Sequence, residues 1–328
     1  MRTPVSDPQR IGPYAVVGRL GSGGMGWVYL ARSPAGEAVA VKVVRAELAA
    51  DDGFRRRFAR EVAAARAVAG EYTAAVVDAD PLASPPWLAT EYVAAPSLAE
   101  AVAASGPLPE PELRRLGAGL VEALRAIHAA GVVHRDLKPS NVLLAADRPR
   151  VIDFGVSLLD GTGRLTRAGS VLGTPAYMAP EQLTGAGVGP PCDIFALGGV
   201  LAYAATGRAP FGDGSGVMYR VAHEAPDLSA VPPGVRETVA RCLDKDPRRR
   251  PGTAALLGAL APPGTLPSWP APVTDRIRER GEDLARRRSA GAAGVSMAPA
   301  LLLHARTLLD AGLTGTLVRQ AVDRGRSR

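Results

Sequence analysis

The stretch GSGGMGWVYLAR, Gly21 to Arg32, places four glycines in its first six positions, with Gly21, Gly23 and Gly26 in the spacing G-x-G-x-x-G. That spacing is shared by dinucleotide-binding loops and by loops that cover phosphates, so the residues after it decide between them. A dinucleotide loop opens a helix, whose N-terminus holds the pyrophosphate. Here the glycines lead instead into WVYLAR, rich in aromatic and β-branched residues and therefore expected to be a strand. They cap a hairpin. A glycine-rich hairpin can fold over phosphates and offer them backbone N–H groups, because no Cβ blocks the approach. A plain tight turn would need fewer glycines.

Outward from the hairpin, Tyr14–Leu20, Trp27–Arg32 and Ala38–Val44 read as strands, and Trp87–Val93 as a further one. Between them, Phe54, Phe58, Val62 and Ala65 fall at helical spacing within Asp52–Val68. The other face of that helix carries Arg55, Arg56, Arg57 and Arg60, a row best read as solvated. From Ser97 onward helices take over. Leu113, Leu116, Leu120, Leu124 and Ile127 form one apolar stripe, and helices are expected at Cys192–Thr206, Val235–Asp244 and Thr253–Leu260. A short strand pair, Val142–Leu144 with Val151–Ile152, interrupts them. The expected fold class is α+β: a small β-rich N-lobe (12–93) with one key helix, and a larger α-helical C-lobe (94–261). Residues 1–11 are a leader. Residues 262–328 are expected to be a Pro- and Arg-rich linker followed by an amphipathic helix near Pro299–Val322.

Composition narrows the function classes. The formal charge is +7, but residues 262–328 hold eleven Arg against six acids, about +5 of that excess. The body of the chain is near neutral, which argues against a nucleic-acid-binding face. Two lone cysteines, Cys192 and Cys242, make neither a disulfide framework nor a metal spacing, as expected in a reducing compartment. MRTPVSDPQR has no apolar core of a signal peptide, and the apolar run Ile194–Gly207 falls short of the roughly 20 residues a membrane span requires. A cytoplasmic protein without a transmembrane span is the expectation. The basic run Arg276–Arg288 reads as a solvated linker, with an acidic partner or peripheral membrane contact as alternatives.

Three lysines, Lys42, Lys138 and Lys245, stand in a chain whose other basic residues are all Arg, and Asn141 is its sole Asn. HRDLKPSN, His134–Asn141, therefore holds a scarce Lys and the only Asn within four positions of each other. Asp136 there can accept the proton of a hydroxyl nucleophile, and Lys138, two residues on, can steady a transferring phosphoryl group. Asn141 and, twelve residues later, Asp153 of DFG are oxygen donors of the kind Mg²⁺ takes, one neutral and one anionic. Lys42, in the strand AVK, supplies a compact ammonium for phosphate oxygens, with Glu61 on the Asp52–Val68 helix as its candidate carboxylate.

Taken in order, these motifs resemble a eukaryotic-type (Hanks-type) protein kinase of the bacterial serine/threonine branch, over about residues 12–261. The resemblance implies an ATP pocket of Leu20, Gly21, Ser22, Gly23, Gly24, Met25, Gly26, Val28, Ala40, Lys42, Thr90, Glu91, Val93 and Leu143. Lys42 would pair with Glu61, Asp136 would be the catalytic base, and Lys138 would contact the γ-phosphate. Asn141 and Asp153 would bind Mg²⁺, with Mn²⁺ a substitute. Lys138 after Asp136 favours Ser/Thr over Tyr substrates. GTPAYMAPE, Gly173–Glu181, would dock the substrate hydroxyl through Thr174. Glu181 would pair with Arg250, and Asp193 would anchor its helix to the HRD loop backbone. Arg135 before the catalytic Asp implies an activation loop awaiting phosphate, with Thr166 and Ser170 the expected autophosphorylation sites, in trans within a homodimer. The expected partners are protein substrates bearing Ser or Thr. The competing reading is a pseudokinase scaffold, which typically lacks a counterpart of Lys42, Asp136 or Asp153.

Overall fold

The computed structural model describes residues 7–68, 70–153, 175–185, 187–261 and 268–295, with side chains up to Arg287. Its N-terminal part is one antiparallel sheet of six strands: β1 (Arg10–Ile11), β2 (Tyr14–Gly23), β3 (Gly26–Arg32), β4 (Ala38–Val44), β5 (Val76–Asp80) and β6 (Trp87–Glu91). They lie in the order β1-β2-β3-β4-β6-β5. On β4, Val39, Val41 and Val43 are buried while Ala40 and Lys42 alternate with them, the period-2 pattern of a strand with two different faces. The glycine stretch is a hairpin, with Gly21 opposite Val28 and Gly23 opposite Gly26. Gly26 is forced by packing, because a Cβ there would sit 1.8 Å from the carbonyl oxygen of Val43.

Between β4 and β5 run α1 (Ala46–Ala49) and α2 (Asp52–Arg66). Asp51 caps α2, its Oδ1 accepting the amide of Phe54 at 3.0 Å. The apolar positions spaced three and four apart then turn Phe54, Phe58 and Val62 onto Val44 and Leu88 of the sheet. Burying Phe58 completely contributes about 2–3 kcal/mol relative to leaving it in water.

The larger lobe is helical: α3 (Leu98–Ser105), α4 (Glu110–Ala129), α5 (Pro180–Thr184), α6 (Pro190–Thr206), α7 (Val217–His223), α8 (Pro233–Cys242) and α9 (Thr253–Leu260). The strand pair β7 (Val142–Leu144) and β8 (Pro149–Val151) lies between α4 and α5. Helix α6 is buried from Cys192 to Ala205 except for the half-buried Tyr203, as its lack of a polar face requires. It packs against α4 and α8, with Gly198 against Cys242 and Leu243.

One expectation needs correction. The Arg-rich run read as a solvated linker is helical, forming α10 (Ala271–Val295). Trp269 and Val273 are buried in the main core, and the first compact unit extends to Arg280. The second unit, Gly281–Arg328, is described only through the remainder of α10, where Arg287 Nε donates to Asp283 Oδ2 at 2.6 Å. The expected helix near Pro299–Val322 lies outside the described residues. Among the described residues no helix is long and apolar enough to cross a membrane.

Candidate active site

Asp136 stands on a loop that the buried Asp193 holds in place. Asp193 Oδ2 accepts the amide of His134 at 2.9 Å and lies 2.7 Å from His128 Nε2, while Oδ1 accepts the amide of Arg135 at 2.8 Å. A fully buried carboxylate needs such partners to offset its desolvation. Arg135 sits at φ 65°, in the left-handed region an L side chain seldom adopts. Gln182 Nε2 adds a hydrogen bond to the Arg135 carbonyl at 2.9 Å. The result is a backbone kink directly before Asp136. His128 and His134 are thus structural, as read from the sequence; the buried His134 Nδ1 accepts the Asp136 amide at 3.3 Å.

Lys138 Nζ donates to Asp136 Oδ2 at 2.7 Å. Asn141 Nδ2 donates to the Asp136 carbonyl at 2.9 Å and to Oδ2 at 3.3 Å. Both of these side-chain contacts fall on Oδ2. The same commitment of Nδ2 leaves the Asn141 Oδ1 as a neutral acceptor. Asp153, at φ 60°, is the second oxygen donor. Asn141 and Asp153 line one cleft, and a neutral carboxamide beside a carboxylate suits a hard divalent cation that keeps water and phosphate in its other positions.

Lys42 Nζ lies 3.3 Å from Asp153 Oδ2. Asp153 holds this position with φ 60°, in the left-handed region. Glu61 itself sits on α2, one position before the buried Val62.

All fourteen residues expected around a nucleotide, from Leu20 through Leu143, line this cleft of about 760 Å³, together with Asp136, Lys138, Asn141 and Asp153. Gly21 and Gly23 differ from Gly26: a Cβ on either would meet nothing within 4 Å. Packing does not require glycine there, which leaves access by a ligand as the physical reason. The tip is pinned by Arg45, whose amide donates to the Met25 carbonyl at 2.9 Å and whose Nη2 donates to the Gly23 carbonyl at 3.1 Å. Sequence reasoning missed Ser97, Glu100, Ser140, Ile152 and Arg280 in the lining. Arg280 carried the least signal, lying beyond the Pro-rich segment. Thr166, Ser170 and Thr174 lie outside the described residues, as do Phe154 and Gly155 of DFG.

Away from the cleft, Arg250 holds Glu181 by two hydrogen bonds, of 2.6 and 2.9 Å, both side chains buried. Cys192 and Cys242 are free and buried, and burial pushes both thiols up, Cys242 to about 12, so neither is a nucleophile.

A family model described as the protein kinase domain matches residues 14–259. The chain is 56% identical over 268 residues to the probable serine/threonine-protein kinase PkwA of Thermomonospora curvata, covering 81% of this chain and 36% of that one. It is 54% identical over 264 residues to the serine/threonine-protein kinase AfsK of Streptomyces coelicolor, covering 78% of this chain and 32% of that one. The chain therefore spans about a third of the length of these curated relatives. Among solved structures, the kinase domain of PknI from Mycobacterium tuberculosis superposes with a TM-score of 0.62 at 30% identity, covering 77% of this chain and 97% of that one.

Proposed function

The chain belongs to the protein kinase family, with the bacterial Hanks-type serine/threonine kinases, and from that premise we propose that it transfers the γ-phosphoryl group of ATP to serine and threonine hydroxyls of proteins. The observation that carries the reading is the meeting, in one cleft, of Asp136 and Lys138 at 2.7 Å with Lys42 and Asp153 at 3.3 Å. Asp136 accepts the proton of the attacking hydroxyl. Lys138 releases part of its charge from Asp136 to the transferring oxygens, and Lys42 steadies the phosphates that stay behind. The glycine hairpin closes over them. A divalent cation, Mg²⁺ with Mn²⁺ as a substitute, neutralises phosphate charge when bound, and Asn141 and Asp153 would hold it. The protein has little covalent chemistry to do, and its contribution is alignment.

Substrate proteins include the chain itself: Thr166 and Ser170 receive phosphate in trans from a second copy, and Thr174 contacts the acceptor hydroxyl. Nothing observed favours the scaffold reading, since Lys42, Asp136 and Asp153 are all in place. The test is incubation with Mg²⁺ and γ-labelled ATP beside a general protein acceptor, followed by phosphoamino-acid analysis. Label on serine and threonine supports the reading; label on tyrosine, or only hydrolysis of ATP, overturns it.

A further inference from the structure

Helix α10 begins beyond the end of the matched kinase-domain region at residue 259, yet it reaches the nucleotide cleft. Its approach is built, not incidental. Trp269 is 4% exposed, donates its indole N–H to the Ala145 carbonyl at 2.6 Å, and lies under the Arg115 guanidinium at 4.0 Å. Thr274 Oγ1 donates to the Trp269 carbonyl at 3.1 Å, tying the anchor to the first turn of the helix. Val273 is fully buried and Ile277 packs on the same core. Val273, Ile277 and Arg280 stand at i, i+4 and i+7, so the buried stripe of α10 ends on Arg280.

At that point the guanidinium bridges two segments of the cleft rim. Nη1 donates to the Ala95 carbonyl at 3.0 Å, and Nη2 to Glu100 Oε1 at 2.7 Å. Glu100 already closes the cap of α3: its Oε2 accepts the Ser97 amide at 2.7 Å and the Ser97 hydroxyl at 2.9 Å. Burial pushes the Glu100 carboxyl up, but the Ser97 hydrogen bonds and Arg280 outweigh it and hold the group below its ordinary range. Ala95, Ser97, Glu100 and Arg280 all line the cleft, at the rim where the chain leaves residues 91–93 for α3.

We propose that the Ala271–Arg280 part of α10 is a fixed wall of the nucleotide cleft and that Arg280 is a positioning residue for nucleotide binding, locking the Ala95–Glu100 rim in its binding geometry. The inference rests on the phosphotransferase reading of the same cleft. A rim held before the nucleotide arrives need not be ordered by it, so the lock acts on affinity and not on the transfer step.

The test uses the full chain with Arg280→Ala, Glu100→Gln and both together. Gln at position 100 keeps the capping box while removing the charge that Arg280 meets. The dissociation constant for Mg-ATP is measured by calorimetry, with KM for ATP, KM for an acceptor peptide and kcat by phosphotransfer. Arg280→Ala is expected to weaken ATP binding about fivefold, as loss of one half-exposed ion pair allows. KM for ATP should rise in parallel, kcat and the peptide KM should hold, and the double variant should be no weaker than the weaker single one. Unchanged or tighter ATP binding by Arg280→Ala overturns the lock, as does an additive double variant. Failure of the wild type itself to bind Mg-ATP would instead overturn the phosphotransferase reading along with it.

Discussion

Asp193 holds the amide of Arg135 at 2.8 Å and thereby keeps a non-glycine residue at φ 65° immediately before Asp136. The position of Asp136 is thus set from a helix 57 residues further along the chain (193 − 136). Asp193→Ala leaves two buried N–H groups without acceptors and removes the partner of His128. It should cost about 3 kcal/mol of unfolding free energy. Phosphotransfer should fall at least tenfold at temperatures where the variant is still folded, as Arg135 relaxes toward ordinary backbone. Denaturant unfolding together with kcat checks both halves.

The glycine hairpin separates packing from ligand access. Gly26→Ala would press a Cβ against the Val43 carbonyl and should destabilise the protein by about 2–3 kcal/mol. Gly21→Ala and Gly23→Ala meet open space and should change stability by less than about 1 kcal/mol. They should nevertheless raise KM for ATP. Equal loss of stability in all three variants would contradict this division.

Breaking the Glu181–Arg250 pair should be severe, because the surviving partner stays buried and charged. Arg250→Ala is expected to cost about 3–5 kcal/mol, with ATP affinity of the folded fraction unchanged. Urea denaturation with nucleotide titration at low temperature distinguishes this from a role in chemistry.

Lys245 gives a pH dependence with a definite sign. Burial, then the nearby Arg250, pull its ammonium from 10.5 down to about 8, against the opposing pull of Glu224. It donates to the Val221 carbonyl at 2.5 Å and sits 3.9 Å over the Phe211 ring. Between pH 8 and 10.5 the unfolded chain therefore binds more protons at this site than the folded one. Stability contributed by Lys245 rises with pH across that window, and below pH 8 its penalty is constant. In Lys245→Met this rise should vanish, seen as a smaller gain in melting temperature from pH 8 to 10 than in the wild type.

What could be read from the sequence was what depends on local pattern. Strand Ala38–Val44 and helix Thr253–Leu260 have the limits that alternation and helical spacing predict. The glycine hairpin followed from the strand after it, and HRDLKPSN stood out through the rarity of Lys and Asn. What could not be read was set by packing between distant segments. The approach of Asp153 to Lys42, at φ 60°, is a matter of tertiary placement that spacing along the chain does not encode. The role of residues 268–280 was masked by prolines and arginines, although Trp269, one of three tryptophans, was the residue able to dock them.

The most direct measurement of the central claim is single-turnover phosphotransfer from γ-labelled ATP by the wild type and by Asp136→Asn, with Mg-ATP affinity determined on the same samples. Asparagine keeps the size and an acceptor oxygen but cannot take the hydroxyl proton. The account predicts that Asp136→Asn binds Mg-ATP within about threefold of the wild type and transfers phosphate about 10²–10⁴-fold more slowly. Transfer at the wild-type rate by Asp136→Asn would contradict the assignment of Asp136 as the base, and with it the reading of the cleft.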